Sequence, residues 1–598
     1  MNTTPIPGLR PALCAGRLAG FAWVLAVFVL LLPAVADAQE KLNPRFEALI
    51  DRYLQEVRGI GGREPSDMSA KSFADDLAKR REILSALRGI DRDSLTFDQD
   101  IDYRFLESLL VSSIAERESV KRWQQNPREY LEIRNLNYRL DADPRPPAVR
   151  AEEMVDDLRL LQVRMANGEK NLSEYIPRWV ELTHPMLDGI EAILQTQVPA
   201  FAERAPRQKA ALLAENERTL AAVQSFRDFL KNDLPEKPEG DWRIGKELFN
   251  TLLSERQMFT QNMDLRRIAR AQDGFTRVPD YHDWGWRQFG IVEEQLKVLA
   301  EKIDPDKHWL EIIKETKKHH PSAENLVFAH HEATRKTREW VIEQDLVTIP
   351  WEDDDAIMVA AAPNQWMTQW WGWGPGVPAG SDSRKAAWTV IPVNPDWPLE
   401  VQEANLSEKD YSFMYAIAPH EVYPGHHLQR LYQNENHRKL RVYESSYSNQ
   451  AWCYYIEWEL TPNYGFYPED KQDLYTLEML RLKLWRMGRV IIDSGLHTGR
   501  MTYDEALELE TDRIGFVRQG GQINIDTITE IGGYMSPATL GYFEWMLLRE
   551  DYFKKMRELD QKGELKDFHD RVYRIGFLPV TLVRETLMHQ LEEEFRPE

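Results

Sequence analysis

The chain has 598 residues, 42% hydrophobic and 29% charged, with a formal net charge of −22. That is enough apolar material for a large core, in one domain or several, and it excludes an intrinsically disordered chain. So acidic a surface disfavours nucleic acid and anionic membranes as partners.

Residues 1–38 read as a secretory signal. Arg10 and Arg17 precede the apolar run FAWVLAVFVLLLPAV, which ends in Ala36-Asp37-Ala38, a small-x-small cleavage pattern. The run falls short of the ~20 apolar residues a span needs and Pro33 interrupts it, so an uncleaved anchor is the weaker reading. Cys14 lies upstream of the apolar run, which argues against a lipid-bearing cysteine. Cleavage removes two Arg and one Asp, moves the net charge from −22 to −23 and leaves only Cys453. The expected mature protein is secreted, in the periplasm, without internal disulfides and without stable membrane insertion. It is compatible with a homodimer.

Helical periodicity dominates residues 42–345. Val223, Phe226 and Leu230 keep a three-then-four spacing, as do Val292, Leu296, Leu299 and Ile303, which is the buried face of an amphipathic helix. Pro/Gly-rich breaks fall at 139–147 and 234–240, so the reading divides the chain into an N-terminal helical region, 39–240, and a catalytic-type region, 241–598, within one unit.

Residues 346–400 differ: AIMVAAAP (356–363) and KAAWTVIPV (385–393) predict short strands. Between them Trp366, Trp370, Trp371 and Trp373 crowd together, as core or cleft wall rather than a sugar platform. A strand here would suit an extended peptide pairing alongside it. Ser407-x-x-Asp410 offers a capping-box-like start to the next helix. The fold class is therefore mainly α, a large helical, cleft-containing fold with a small β element before the histidine-bearing helix.

That helix carries HEVYPGHHLQ, His420–Gln429. It begins like the zinc-protease pattern H-E-x-x-H, but the fifth position is Pro424. In a straight helix His420 and His426 would point about 120° apart, and His420 and His427 would sit about 10.5 Å apart along the axis, too far for zinc–nitrogen bonds of ~2.0 Å. Pro424 lacks an amide hydrogen and its ring collides with the His420 carbonyl, while Gly425 permits unusual backbone angles. A kink or insertion is expected, able to swing His426 to the position of the second histidine; spacing leaves both His426 and His427 open. Glu421 would be the general base toward water while zinc polarises the scissile carbonyl. By contrast FAHHEATR (His330, His331, Glu332) has no following histidine and predicts a solvated helix face.

H-E-x-x-P-G-H-H-L-Q resembles the signature of the bacterial domain-of-unknown-function 885 family, placed with gluzincin-type metallopeptidases and similar in layout to the carboxypeptidase Taq family. The likeness covers most of residues 45–590. It implies a metallopeptidase-like fold and a zinc-dependent peptidase acting on peptide substrates. The family pattern E-G-W-A-L-Y-A-E falls on QAWCYYIE, matched at Trp452, Tyr455 and Glu457. Its first glutamate, the implied third metal ligand, is Gln450 here, a neutral amide in place of a carboxylate. Glu444 or Glu457 could substitute, Glu457 being better read as a partner that orients a ligand.

RVIIDSGLHTGRMTYDEA resembles the family's R-x-x-x-D-x-G-x-H block, with Arg489, Asp493 and His497 four apart on one helix face. That spacing lets Asp493 orient His497 while pairing with Arg489, and the resemblance implies a substrate or oxyanion contact for His497. Thr502-x-x-Glu505 restarts a helix just after, so Gly495 and Gly499 mark the end of the first. EIGGYMSPATLGYFEW resembles E-x-x-R-Y-x-x-x-P-G-Q, giving Tyr534 as a transition-state donor, whereas the family's arginine is Gly533 and its G-Q pair is Ala538-Thr539. FHDRVYRIGFLP, with Phe568, His569 and Asp570, fits the family as a packing element. These departures support a second reading, a catalytically impaired member acting as a binding or scaffold protein.

Overall fold

Apolar residues at helical spacing become helices along most of the chain in the computed structural model, which describes residues 42–58, 67–141, 143, 145–259, 278–360, 370–372 and 376–596. Residues 1–38, read above as a signal, and Trp366 and Trp373 lie outside the described residues. In the first half, a capping box of Thr96 and Gln99 opens α1 (Phe97–Ser119). Helices α2 (Pro147–Asn171) and α3 (Lys209–Asn232) lie side by side. They share a core of their own in which Leu158, Leu161, Val223, Phe226 and Leu230 are buried.

A larger core takes the rest, and it does not respect the break near residue 240. Phe105, Leu106 and Leu110 of α1 pack with residues as distant as Leu587. Asn43–Glu598 form one unit. Helix α4 (Val278–Ile303) follows, then α5 (Leu326–Glu343). The two strands, β1 (Asp355–Ala360) and β2 (Lys385–Val390), pair in parallel with Asp355 opposite Lys385 and Ala360 opposite Val390. α5 packs against β1. Among the described residues this is the only sheet, so the protein is mainly helical.

Two local expectations need correction here. Ser407 ends the preceding helix, and the N-cap of α6 (Tyr411–Glu421) is Asp410, whose carboxylate accepts from the amides of Ser412 (2.8 Å) and Phe413 (3.4 Å). An aspartate alone is a sufficient cap. His330 is not solvated: it is buried edge-on to Trp388, while His331 and Glu332 are half-buried. Burial pushes its imidazole down to about 4, and its Nδ1 lies 2.9 Å from the Leu326 carbonyl.

The remaining site helices are α7 (His426–Asn434), α8 (Ser448–Tyr455), α9 (Gln472–His497), α10 (Arg518–Glu530), α11 (Pro537–Glu558) and α12 (Leu565–Ile575). α4 lies along α9, with Gly285 so close to it that a Cβ there would sit 2.9 Å from Val490 Cγ1. Leu482, Leu484, Val490, Ile491 and Ile492 of α9 are fully buried, and each contributes about 1.5–3 kcal/mol. That burial offsets the desolvation of the arginines the same helix carries inward. After it, Gly499 takes φ +71 and Thr502 with Glu505 forms a capping box. Among the described residues no helix is long and apolar enough to cross a membrane.

Candidate functional site

The stretch containing Pro424 does not kink one helix; it separates two. α6 ends at Glu421 and α7 starts at His426, with Gly425 at its N-cap. Gly425 lies directly over the end of α6: a Cβ there would fall 1.7 Å from the His420 carbonyl oxygen. No side chain fits that approach, so the glycine is what lets α7 begin beside α6. The turn is anchored by Tyr423, whose hydroxyl donates to Asp354 (2.5 Å), and by Tyr573, whose hydroxyl donates to the Pro424 carbonyl.

This geometry puts the rings of His420 and His426 4.9 Å apart, nearly perpendicular. Both α6 and α7 pack on α8, which supplies Gln450 between them. The Gln450 side-chain amide lies 2.9 Å from Nε2 of His420 and 2.9 Å from Nε2 of His426. His427, the alternative from spacing, is fully buried edge-on to Tyr423 instead.

Proton placement decides what suits the space between the rings. Glu457 is paired with His420 Nδ1. Although burial works against its charge, Arg486 and His420 hold its carboxyl below the ordinary range, so it accepts. His420 Nδ1 therefore carries the proton and Nε2 presents a lone pair. Gln429 donates its Nε2 to the Asn449 carbonyl (2.9 Å), so its Oε1 faces His426 Nδ1 at 2.8 Å and takes that proton. His426 Nε2 then presents a lone pair as well. A carboxamide donates from one end only, so one of the two lone pairs must meet the oxygen of Gln450.

An added proton on either ring would remove the conflict; burial pushes the His426 imidazole down to about 3, so that proton would sit on His420, beside the Glu457 carboxylate. A cation removes it completely, because two imidazole nitrogens and an amide oxygen then act together as acceptors. The residues present therefore fit a metal such as zinc, with Glu457 orienting His420 from behind. Cys453 offers a different third group: its ligand atom and those of His420 and His426 lie within 4.8 Å of one another. Its sulfur, however, is 3.5 Å from Nδ1 of His426 rather than Nε2, and burial pushes the thiol well above its usual range. A protonated thiol is a poor ligand.

His420, Glu421 and Gln450 line a cavity of ≈1000 Å³, and Trp371, Gly372 and Tyr534 form other parts of its wall. The Glu421 carboxylate is 3.9 Å from His420 Nε2, and burial raises its pKa. Tyr534 is 56% exposed on the wall. Gly372 bridges Val390 at the end of β2, so the edge of the small sheet borders the cavity. Trp370 is core, stacked on Trp397. Glu444 also lines the cavity but is held by Arg58 (2.7 Å) and Tyr53 (3.1 Å).

His497 requires a correction. It is not among the cavity-lining residues; it is fully buried, with Nε2 2.8 Å from the Ile528 carbonyl and Nδ1 accepting weakly from the Ile244 amide (3.4 Å). Gly532 sits against its ring, where a Cβ would lie 2.6 Å from Nε2. Asp493 does not pair with Arg489. It accepts from the Gly533 amide (2.9 Å) and the Ser536 hydroxyl (2.6 Å), and so fixes the turn that presents Tyr534. His497 and Asp493 thus shape the wall without touching the cavity. His569 and Asp570 of α12 tie down the segment after α5, through the Leu346 carbonyl (2.7 Å) and the Thr348 amide (2.8 Å).

Sequence reasoning missed Arg486. It lines the cavity beside Arg489 and reaches Glu457 at 3.4 Å. The available signal was its setting: RLKLWRMGRVIID is so apolar around the helix that its arginines had to go inward.

These features define a mainly helical protein with a paired-histidine cluster beside a large cavity, His420 in its wall and His426 behind it. The chain belongs to the family described as "Bacterial protein of unknown function (DUF885)", which it matches over residues 56–587. Two solved structures share the fold. One is a candidate lipoprotein of unknown function from Shewanella oneidensis (17% identity, TM-score 0.68, covering 91% of this chain and 99% of that one). The other is a candidate lipoprotein from Colwellia psychrerythraea (14% identity, TM-score 0.64, covering 93% and 98%). No curated protein matches the sequence.

Proposed function

We propose that the protein is an exported, zinc-dependent peptidase with a gluzincin-like centre formed by His420, His426 and Gln450. One observation carries this reading: two imidazole Nε2 atoms directed at a single carboxamide, which with both rings neutral can donate to only one of them. When bound, zinc supplies Lewis-acid polarisation of the scissile carbonyl and of water. Glu421 takes the proton of the attacking water and returns it to the leaving amine. Glu457 keeps the His420 ring in place, and Tyr534 donates to the charge developing on the carbonyl oxygen. The leader-like N-terminus and the likeness to candidate lipoproteins support export, and the periplasm is the compartment we assign.

A second reading, a binding or scaffold protein without turnover, is favoured by the neutrality of Gln450 at the third-ligand position. The purified mature protein, incubated with a peptide library with and without a chelator, separates the two. Cleavage that stops on chelation and returns with zinc is the expected result. No cleavage in a metal-loaded sample leaves the binding reading.

A further inference from the structure

The cavity is charged opposite to the protein. Eight Lys and Arg side chains line it against four Glu, in a chain of net charge −22. Most of these cations have carboxylate partners: Arg58 pairs with Glu444 (2.7 Å), Arg122 with Glu116 (3.1 Å) and Arg80 with Asp76 (2.9 Å). Arg486 and Arg489 stand apart.

Both are buried, at 2% and 7% exposure, one turn apart on α9, with their guanidinium carbons over Trp485 at 4.1 and 3.9 Å from ring centroids. Among the described residues Arg486 has a single carboxylate contact, Glu457 at 3.4 Å, and Glu457 is already engaged by His420. Its Nε and Nη1 have no hydrogen-bond partner among the described residues. Among the described residues Arg489 makes only long, neutral contacts, to the Tyr454 hydroxyl (3.3 Å) and Asn524 Oδ1 (3.4 Å), and its Nε has no partner. Of the other acids nearby, Glu421 lies within electrostatic reach of Arg486 but forms no ion pair with it among the described residues, and Glu510 does not supply the missing charge. Burial raises its carboxyl to about 8, and it accepts from Asn524.

A buried guanidinium is retained where something planar and anionic completes it, since its fork of N–H donors matches a carboxylate in a bidentate pair. Both groups pack over Trp485, and each keeps at least one N–H donor without a partner among the described residues. We propose that Arg486 and Arg489 together receive a carboxylate of the bound substrate. The link from His420 through Glu457 to Arg486 places this subsite next to the proposed scissile centre. The carboxylate belongs either to the C-terminus of a peptide or to an acidic side chain. Only the consequence for cleavage rests on the peptidase reading; the binding itself does not.

The test uses the mature protein carrying Glu421→Gln, titrated calorimetrically with three N-acetylated tripeptides: a free acid, its C-terminal amide, and an amide containing one Glu. The free acid is expected to bind at least about tenfold more tightly than the plain amide. If the Glu-containing amide binds as tightly as the free acid, the carboxylate is a side chain; if only the free acid does, it is the terminus. Arg489→Gln should erase the preference, with a thermal melt checking that the fold is intact. Equal binding of all three peptides, or binding of none, overturns the proposal even if every arginine variant fails to fold. Acid-selective binding without chelator-sensitive hydrolysis would instead sink the peptidase reading and keep the subsite.

Discussion

Replacing Glu421 by Gln is expected to lower kcat by about 10²–10⁴-fold, the usual worth of a positioned general base. The swap keeps size and hydrogen-bonding capacity and removes only the ability to take a proton. Because Glu421 lies 3.9 Å from His420 Nε2 and makes no other ion pair among the described residues, the two helices that hold the histidines should not move. Metal content and melting temperature are therefore expected to match the parent. Steady-state kinetics on a cleaved peptide, with zinc measured on the same sample, checks both halves. Full activity in Glu421→Gln would remove the role assigned to this residue.

Restoring a carboxylate at the centre, Gln450→Glu, is expected to tighten zinc binding by roughly tenfold or more, at least ~1.4 kcal/mol. Gln450 already sits 2.9 Å from both Nε2 atoms, so the isosteric acid projects into the same space with a charge the amide lacks. In the absence of metal the same change favours a protonated histidine beside the new carboxylate, so zinc and protons should compete more strongly. Competition titration against a chromogenic chelator measures the change. Unaltered affinity would place residue 450 outside the coordination sphere.

Much of the helical layout was legible because burial imposes its period on the sequence: Val223, Phe226 and Leu230 are buried as their spacing requires. The pairing of His420 with His426 was half legible. Pro424 and Gly425 announced a break in the helix, but what brings the rings to 4.9 Å is Gly425 lying on the His420 carbonyl, a contact between backbones that no pattern displays. His330 misled because its spacing carries no sign that it packs against Trp388 rather than facing solvent, and His497 misled for a different reason. A histidine whose ring nitrogens are satisfied by backbone groups looks, in sequence, the same as one free to work. The Asp493–Tyr534 relation was invisible for another: it runs through the amide of Gly533, 40 residues away in the chain. Arg486 carried no motif at all, only an apolar neighbourhood.

The central claim is that a metal ion belongs between His420, His426 and Gln450. Elemental analysis of the mature protein, purified without chelator and compared with a His420→Ala, His426→Ala double variant, tests it most directly. About one zinc per chain in the parent, lost in the double variant, is the predicted result. A parent that holds no metal and gains none on incubation with zinc would contradict it.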